Sequence, residues 1–214
     1  MTLRIRCSCV VFIYCTYLSA ASAQNFNLNL GGGAGFPISS TADLSNISYN
    51  LVAGAGPNLS THLKMNAEFM FHGLPVQQSV INQLGVSNVK GRLYSLSANL
   101  IAGSSIGGGK IAYLIGGGGW YRRTLEAKET VLQAGTKCAP VWAWWNFQCV
   151  DGIFPTEVTV GSRTSSAPGF NIGGGFGFRL WDSSTYFYTE LRYHRAFTRG
   201  FDTSVLPWTF GVRW

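Results

Sequence analysis

Residues 207–214 read P-W-T-F-G-V-R-W. In an extended strand successive side chains point to opposite faces. Trp208, Phe210, Val212 and Trp214 therefore share one side, and Thr209, Gly211 and Arg213 share the other. At the margin of a soluble sheet such a bare apolar stripe is an aggregation-prone edge. In a closed barrel within a bilayer it is a stave, with lipid wetting the apolar side and closure pairing every backbone group. The segment is expected to be the last strand of a transmembrane β-barrel.

Composition agrees with that reading. The 214 residues suit one domain. Charged residues make up 12%, against roughly 25% in soluble domains, while 27 glycines and 30 aromatic residues are abundant. Beyond the first 23 residues no run approaches the ~20 apolar residues that a spanning helix needs. Residues 1–23 read as a cleaved signal peptide: Arg4 and Arg6 make the basic start, Val10 to Leu18 the apolar stretch, and Ala21-Ser22-Ala23 the exit before Gln24. Tyr14 is too bulky to make Cys15 a lipoprotein anchor. The barrel domain is then 24–214.

Cleavage lowers the net charge from +7 to +5. The remaining basic residues are scattered rather than gathered on a helix, which excludes nucleic acid as the expected partner. Anionic lipid headgroups suit them better. Cys138 and Cys149 are the only cysteines left, and an even pair in an exported chain predicts a disulfide. Closing a loop of about a dozen residues stabilises by about 3 kcal/mol on the chain-entropy account. No metal or other cofactor is expected.

Period two runs through most of the mature chain. In Phe26 to Phe36, Phe26, Leu28, Leu30, Gly32, Ala34 and Phe36 oppose Asn27, Asn29, Gly31, Gly33 and Gly35. The second strand shows Tyr49, Leu51, Ala53, Ala55, Pro57 and Leu59 on one face. The third sets Leu63, Met65, Ala67, Phe69 and Phe71 against Lys64, Asn66, Glu68 and His72. The fourth sets Tyr94, Leu96, Ala98 and Leu100 against Ser95, Ser97 and Asn99. The fifth, about Ile111 to Arg123, is glycine-rich and its phase stays open. The sixth opposes Phe170, Ile172, Phe176, Phe178 and Leu180 to Asn171, Gly173, Gly175, Gly177 and Arg179. The seventh opposes Phe187, Leu191, Tyr193 and Phe197 to Glu190, Arg192 and His194, and the C-terminal segment is the eighth.

Connections after strands two, four and six are short, near 60–62, 104–110 and 182–184. Those after the odd strands are longer, up to a loop from about Leu125 to Ala167. This alternation is the pattern of an up-and-down membrane barrel. A soluble lipocalin-like barrel shares the period but points its large apolar residues inward. Here the face carrying Glu190 and Arg192 must be the inner one, because an arginine facing mid-bilayer costs about 2–4 kcal/mol. The fold expected is all-β: an eight-stranded antiparallel up-and-down transmembrane barrel.

That phase turns Lys64, Glu68, Arg179, Glu190, Arg192 and Arg213 inward, and a lumenal charge network is expected, since buried charges must be paired. The alternative use of the same residues is a narrow ion or solute path gated by re-pairing. The outermost loop holds Trp142, Trp144, Trp145 and Phe147 between the cysteines, a possible contact surface for lipopolysaccharide or an external partner. A hydrolase site is disfavoured, because no nucleophile is placed beside His62, His72 or His194 as that chemistry demands. The glycine runs lack the strand–glycine–helix context and the Lys-Ser or Lys-Thr of phosphate loops.

The segments Leu63 to His72 (L-K-M-N-A-E-F-M-F-H), Gly169 to Leu180, Tyr186 to His194 (Y-F-Y-T-E-L-R-Y-H) and the terminal L-P-W-T-F-G-V-R-W resemble the outer-membrane β-barrel domain family. This is the small eight-stranded group that includes the OmpA transmembrane domain and OmpX. The resemblance covers nearly all of residues 24–214. It implies an outer-membrane location in a family with structural, adhesive, pore-like and enzymatic members; with no catalytic constellation in the residues, the expectation is a monomer with a structural or surface-interacting role and no enzymatic activity. A narrow channel is the second reading and a lipid-modifying enzyme the third. It also implies that Trp208, Phe210, Val212 and Trp214 form the terminal signal offered to the barrel-assembly machinery. Trp214 departs from the commoner phenylalanine. The long third loop with its cysteines departs from the short-looped relatives.

Overall fold

A computed structural model describes residues 26–140, 147–180 and 184–214. The expected signal segment lies outside them. The strands are β1 (Phe26–Pro37), β2 (Ser48–Pro57), β3 (Leu63–Pro75), β4 (Asn88–Gly107), β5 (Lys110–Pro140), β6 (Phe147–Arg179), β7 (Tyr186–Ala196) and β8 (Thr203–Arg213). Each pairs antiparallel with its neighbours, and together they form one closed ring. Closure is made between β1 and β8, with Leu30 opposite Val212, Gly33 opposite Thr209 and Ala34 opposite Trp208. The backbone of Leu28 and Trp214 continues the seam with two further hydrogen bonds, 2.8 and 3.0 Å.

The inside–outside alternation follows the sequence. Leu30, Leu51, Phe69, Leu96, Ile172, Leu191 and Trp208 are exposed on the outer face, while Asn29, Asn50, Glu68, Asn99, Asn171, Arg192 and Thr209 are buried within. The open phase of the fifth strand is now fixed. Tyr113, Ile115, Tyr121 and Arg123 face inward, and Leu114, Trp120 and Arg122 outward. Aromatic rings cluster on the outer face toward the long-loop end, with Tyr49, Phe71 and Tyr94 in successive contact at 5.8 and 5.2 Å.

The lumen also takes apolar side chains. Val52, Met70, Leu93, Ile101, Ile115, Tyr121 and Val205 are buried inside it. A ring of eight strands is just narrow enough for side chains to fill, so the interior packs as a core. At the short-turn end β4 and β5 meet over Gly107, Gly108 and Gly109. All three have positive φ, of 90°, 60° and 71°, which a glycine adopts without steric cost.

The largest correction concerns the loop expected over 125–167. It is a continuous two-stranded ribbon. β5 and β6 remain in register from Lys110↔Phe178 to Pro140↔Phe147, with one irregularity at Ala127/Lys128. β4 leaves β5 at Lys128, and β7 leaves β6 at Gly169. Residues 129–140 and 147–158 thus pair only with each other. At about 3.3 Å per residue, 129–140 makes roughly 40 Å of hairpin. The expected disulfide lies across its far part, with Cys138 bonded to Cys149 directly opposite. A polar, glycine-containing stretch suits a loop, but it equally suits a ribbon wetted on both faces. The other outer connections hold a 3-10 turn (Ser39–Thr41) and helix α1 (Gln78–Leu84).

Candidate functional site: the lumenal charge network

Four of the six charges assigned to the lumen meet in the structure. Glu68 on β3 receives a bidentate bond from Arg192 on β7, with Nη1 to Oε2 at 2.6 Å and Nη2 to Oε1 at 3.0 Å. The Nε of Arg192 donates to Glu190 on its own strand. Glu190 in turn faces the Arg213 guanidinium of β8 at 3.6 Å. All four side chains are no more than 3% exposed. Two carboxylates and two guanidiniums make the cluster neutral, which is what tolerates full burial.

Asparagines complete it, and the sequence reading had given them no role beyond small polar filler. Asn29 donates to Glu68 Oε1 at 2.9 Å, and Asn99 donates to Glu68 Oε2. Asn66 donates to Asn29 at 2.6 Å and Asn171 to Asn99 at 2.8 Å. The signal that would have found them is positional: an asparagine at the same level on the inner face of each of β1, β3, β4 and β6. Gly54 on β2 leaves the space, since a Cβ there would stand 2.5 Å from Glu68 Cγ and 2.6 Å from Asn29 Oδ1. The bonded groups come from six of the eight strands and fill the lumen at this level. Conduction past them would require the pairs to break and re-form.

Arg179 and Lys64 depart from the expected network. Arg179 has the inward phase but sits at the strand end, exposed, where its guanidinium bonds the Tyr186 hydroxyl at 3.0 Å. Lys64 is half-buried nearer the short turns and joins no ion pair among the described residues. Both lie too near the end of the barrel to reach the layer of Glu68. His72 and His194, on the inward faces assigned to them, are sealed inside at no more than 1% exposure. Their rings are 5.9 Å apart, and His194 Nδ1 shares a 3.1 Å hydrogen bond with Tyr121. The bulged, lengthened strands carry the barrel wall further outward than the sequence boundaries allowed.

No family model matches the sequence, and no curated protein matches it. Solved structures do. Neisserial surface protein A has 12% identity over 88% of this chain and 95% of its own, with a TM-score of 0.60. A major outer membrane protein from Thermus thermophilus has 10% identity over 88% of this chain and 98% of its own, with a TM-score of 0.55. This is an eight-stranded barrel of the outer-membrane type.

In this outer-membrane-type barrel the C-terminal stripe lies where its periodicity put it. Trp208, Phe210 and Trp214 are exposed outward, Val212 shares their side, and Trp208 Nε1 donates to Thr189 on the same outer face at 2.9 Å. Trp142, Trp144 and Trp145 fall outside the described residues, as does the side chain of Phe147. The ribbon beneath them is described. Thr136 donates to Asp151 across it, and Lys137 Nζ stands 5.9 Å from the Phe154 ring centre. Its base is tied to the barrel rim by Glu157, which takes hydrogen bonds from Asn88 and Lys90, both at 3.2 Å, and lies 3.5 Å from Lys128.

Those partners, the Asn88 amide first and then Lys90, hold the Glu157 carboxyl below its ordinary value near 4.5. A depressed folded value means the tether contributes above that pH and is lost as pH falls through the lowered one. Acidification below pH 4.5 is therefore expected to speed proteolysis at the hairpin base. Glu157→Gln should give that faster cleavage already at about pH 7 and remove most of the pH response. A pH-independent cleavage rate in the parent protein counts against the tether.

Proposed function

We propose that this chain is an integral outer-membrane protein without enzymatic activity, in which the barrel anchors a long disulfide-closed hairpin for contact outside the membrane. The observation that carries this reading is the β5–β6 ribbon standing free of the barrel from Glu129↔Val158 to Pro140↔Phe147. A barrel needs no such extension to close. The contacts it would make are with lipopolysaccharide or an external surface, through the aromatic segment 142–147 at its end. The apolar outer face gives bilayer lipid its contact, and the terminal strand gives the barrel-assembly machinery its signal. A cleaved leader at 1–23 would bring the chain to that membrane. A non-catalytic role is supported by His72 and His194, which are shut inside the lumen away from lipid and solvent.

Replacing 129–158 by a short turn tests it. The truncated protein should still fold in detergent, seen as faster gel migration before boiling. Its binding to lipopolysaccharide vesicles or intact cells should fall at least tenfold relative to the parent. Unchanged binding would remove the hairpin from the contact surface. Steady discrete conductance from the parent in planar bilayers would favour the narrow channel instead.

The disulfide makes a narrower prediction. Cys138→Ser with Cys149→Ser should leave barrel unfolding unchanged. It should weaken the far ribbon by up to about 3 kcal/mol, read as faster proteolysis within 129–158. Loss of the folded barrel would mean that the crosslink reaches beyond the ribbon.

A further inference from the structure

The short-turn end of the lumen holds a cavity of about 280 Å³ whose lining includes Lys64, Arg213, His62, Ser105, Tyr113 and Tyr186, with no acidic residue in it among the described residues. Arg213 is 3% exposed. Its guanidinium carbon lies 4.8 Å from the ring centroids of both Tyr113 and Tyr188. Ring contacts occupy no N–H acceptor position, and Nε and Nη2 have no hydrogen-bond partner. Glu190 faces it with Oε2 at 3.6 Å from Nη2, beyond hydrogen-bond reach, while its Oε1 accepts from Arg192. Lys64 brings a second cation to the same space. Glu68, Arg192, Glu190 and Arg213 balance within their layer, so Lys64 is a surplus positive charge at this end of the lumen, as Arg123 is toward the outer end. A buried donor without an acceptor bears its full desolvation cost, which is larger when it is charged.

We infer that this cavity is a binding site for a small oxyanion of phosphate or sulfate size, taken between the Arg213 edge and the Lys64 ammonium. Charge-assisted bonds to two cations are the strong kind for such a ligand, and the Tyr113 and Ser105 hydroxyls stand in the same lining as further donors. The inference does not depend on the hairpin's role. Two sources share the chemistry: a free anion on the short-turn side, and the phosphate of a lipid headgroup at the membrane margin.

Calorimetry of the full-length barrel refolded in neutral detergent, titrated with inorganic phosphate at constant ionic strength, tests the site. The parent should bind saturably with one site. Lys64→Gln should bind at least tenfold more weakly. Lys110→Gln, which removes an exposed cation from the same end but outside the lining, should bind as the parent does. All three should keep the folded gel mobility, because neither lysine is in an ion pair among the described residues. Absence of saturable binding by the parent, or equal weakening by both variants, overturns the proposal. Repeating the titration in nanodiscs separates the sources. Apparent phosphate affinity lower in phosphatidylcholine nanodiscs than in the phosphate-free detergent, for the parent but not for Lys64→Gln, identifies the headgroup. Equal affinity in the two environments identifies the free anion.

Discussion

Arg192→Met is expected to lower the unfolding free energy of the barrel by about 3–5 kcal/mol, the usual result of stripping one partner from a buried ion pair. The guanidinium spans the lumen from β7 to Glu68 on β3 and also bonds Glu190. Methionine fills much of the space but leaves two carboxylates to share the Asn29 and Asn99 amides and a distant Arg213. Urea unfolding in detergent, followed by tryptophan fluorescence and gel mobility, reads the loss. Adding Glu68→Met should restore a large part of it, since an apolar pair of similar volume leaves only Glu190, with Arg213, charged. Non-additivity of about 0.5–3 kcal/mol is what directly bonded groups show. A single variant within about 1 kcal/mol of the parent, or a strictly additive double variant, would mean that the lumen is held by packing alone.

Gly33→Val should fail at the seam itself. A Cβ on Gly33 would overlap the Trp208 carbonyl oxygen and stand 3.0 Å from Thr209 Cα. Both belong to the backbone of β8, so no side-chain rotation relieves the contact, and β1 must move from the strand that closes the ring. Overpacking a core ordinarily costs about 1–3 kcal/mol. A clash with ladder backbone is expected to reach or exceed the upper end and to abolish most of the heat-modifiable band after refolding. Gly135→Ala is the matched control. Nothing lies within 4 Å of a Cβ there, on the free-standing ribbon, and its effect should stay within about 0.5 kcal/mol. Normal closure of Gly33→Val would show that the β1–β8 seam is looser than its register.

Much of this was legible in the chain because a membrane barrel writes its environment twice over, in the period and in the phase. Trp208, Phe210 and Trp214 sit outside, and Glu68, Glu190, Arg192 and Arg213 inside, because lipid rejects charge more strongly than any local propensity can oppose. The glycine-rich stretch of β5 was unreadable for the same reason. Where Gly116 to Gly119 carry no side chain there is nothing for lipid or lumen to select, and only the partners on β4 and β6 fix which side is in.

The sequence by itself determined the number of staves, the facing of all but the fifth, the short-turn ends and the cysteine pair. Each of these follows from residue type at spacing two, and a one-residue slip would turn every charge toward lipid. Only the tertiary structure decided what depends on distance across the ring. It joined Arg192 to Glu68 from residues 124 positions apart, set the four asparagines around them, sealed His72 against His194, and left Lys64 and Arg179 out of the layer. It also turned 125–167 from a loop into a ribbon. Polar alternation there is compatible with water on both sides whether or not the strands pair, and only the register carried up from the barrel pairs them.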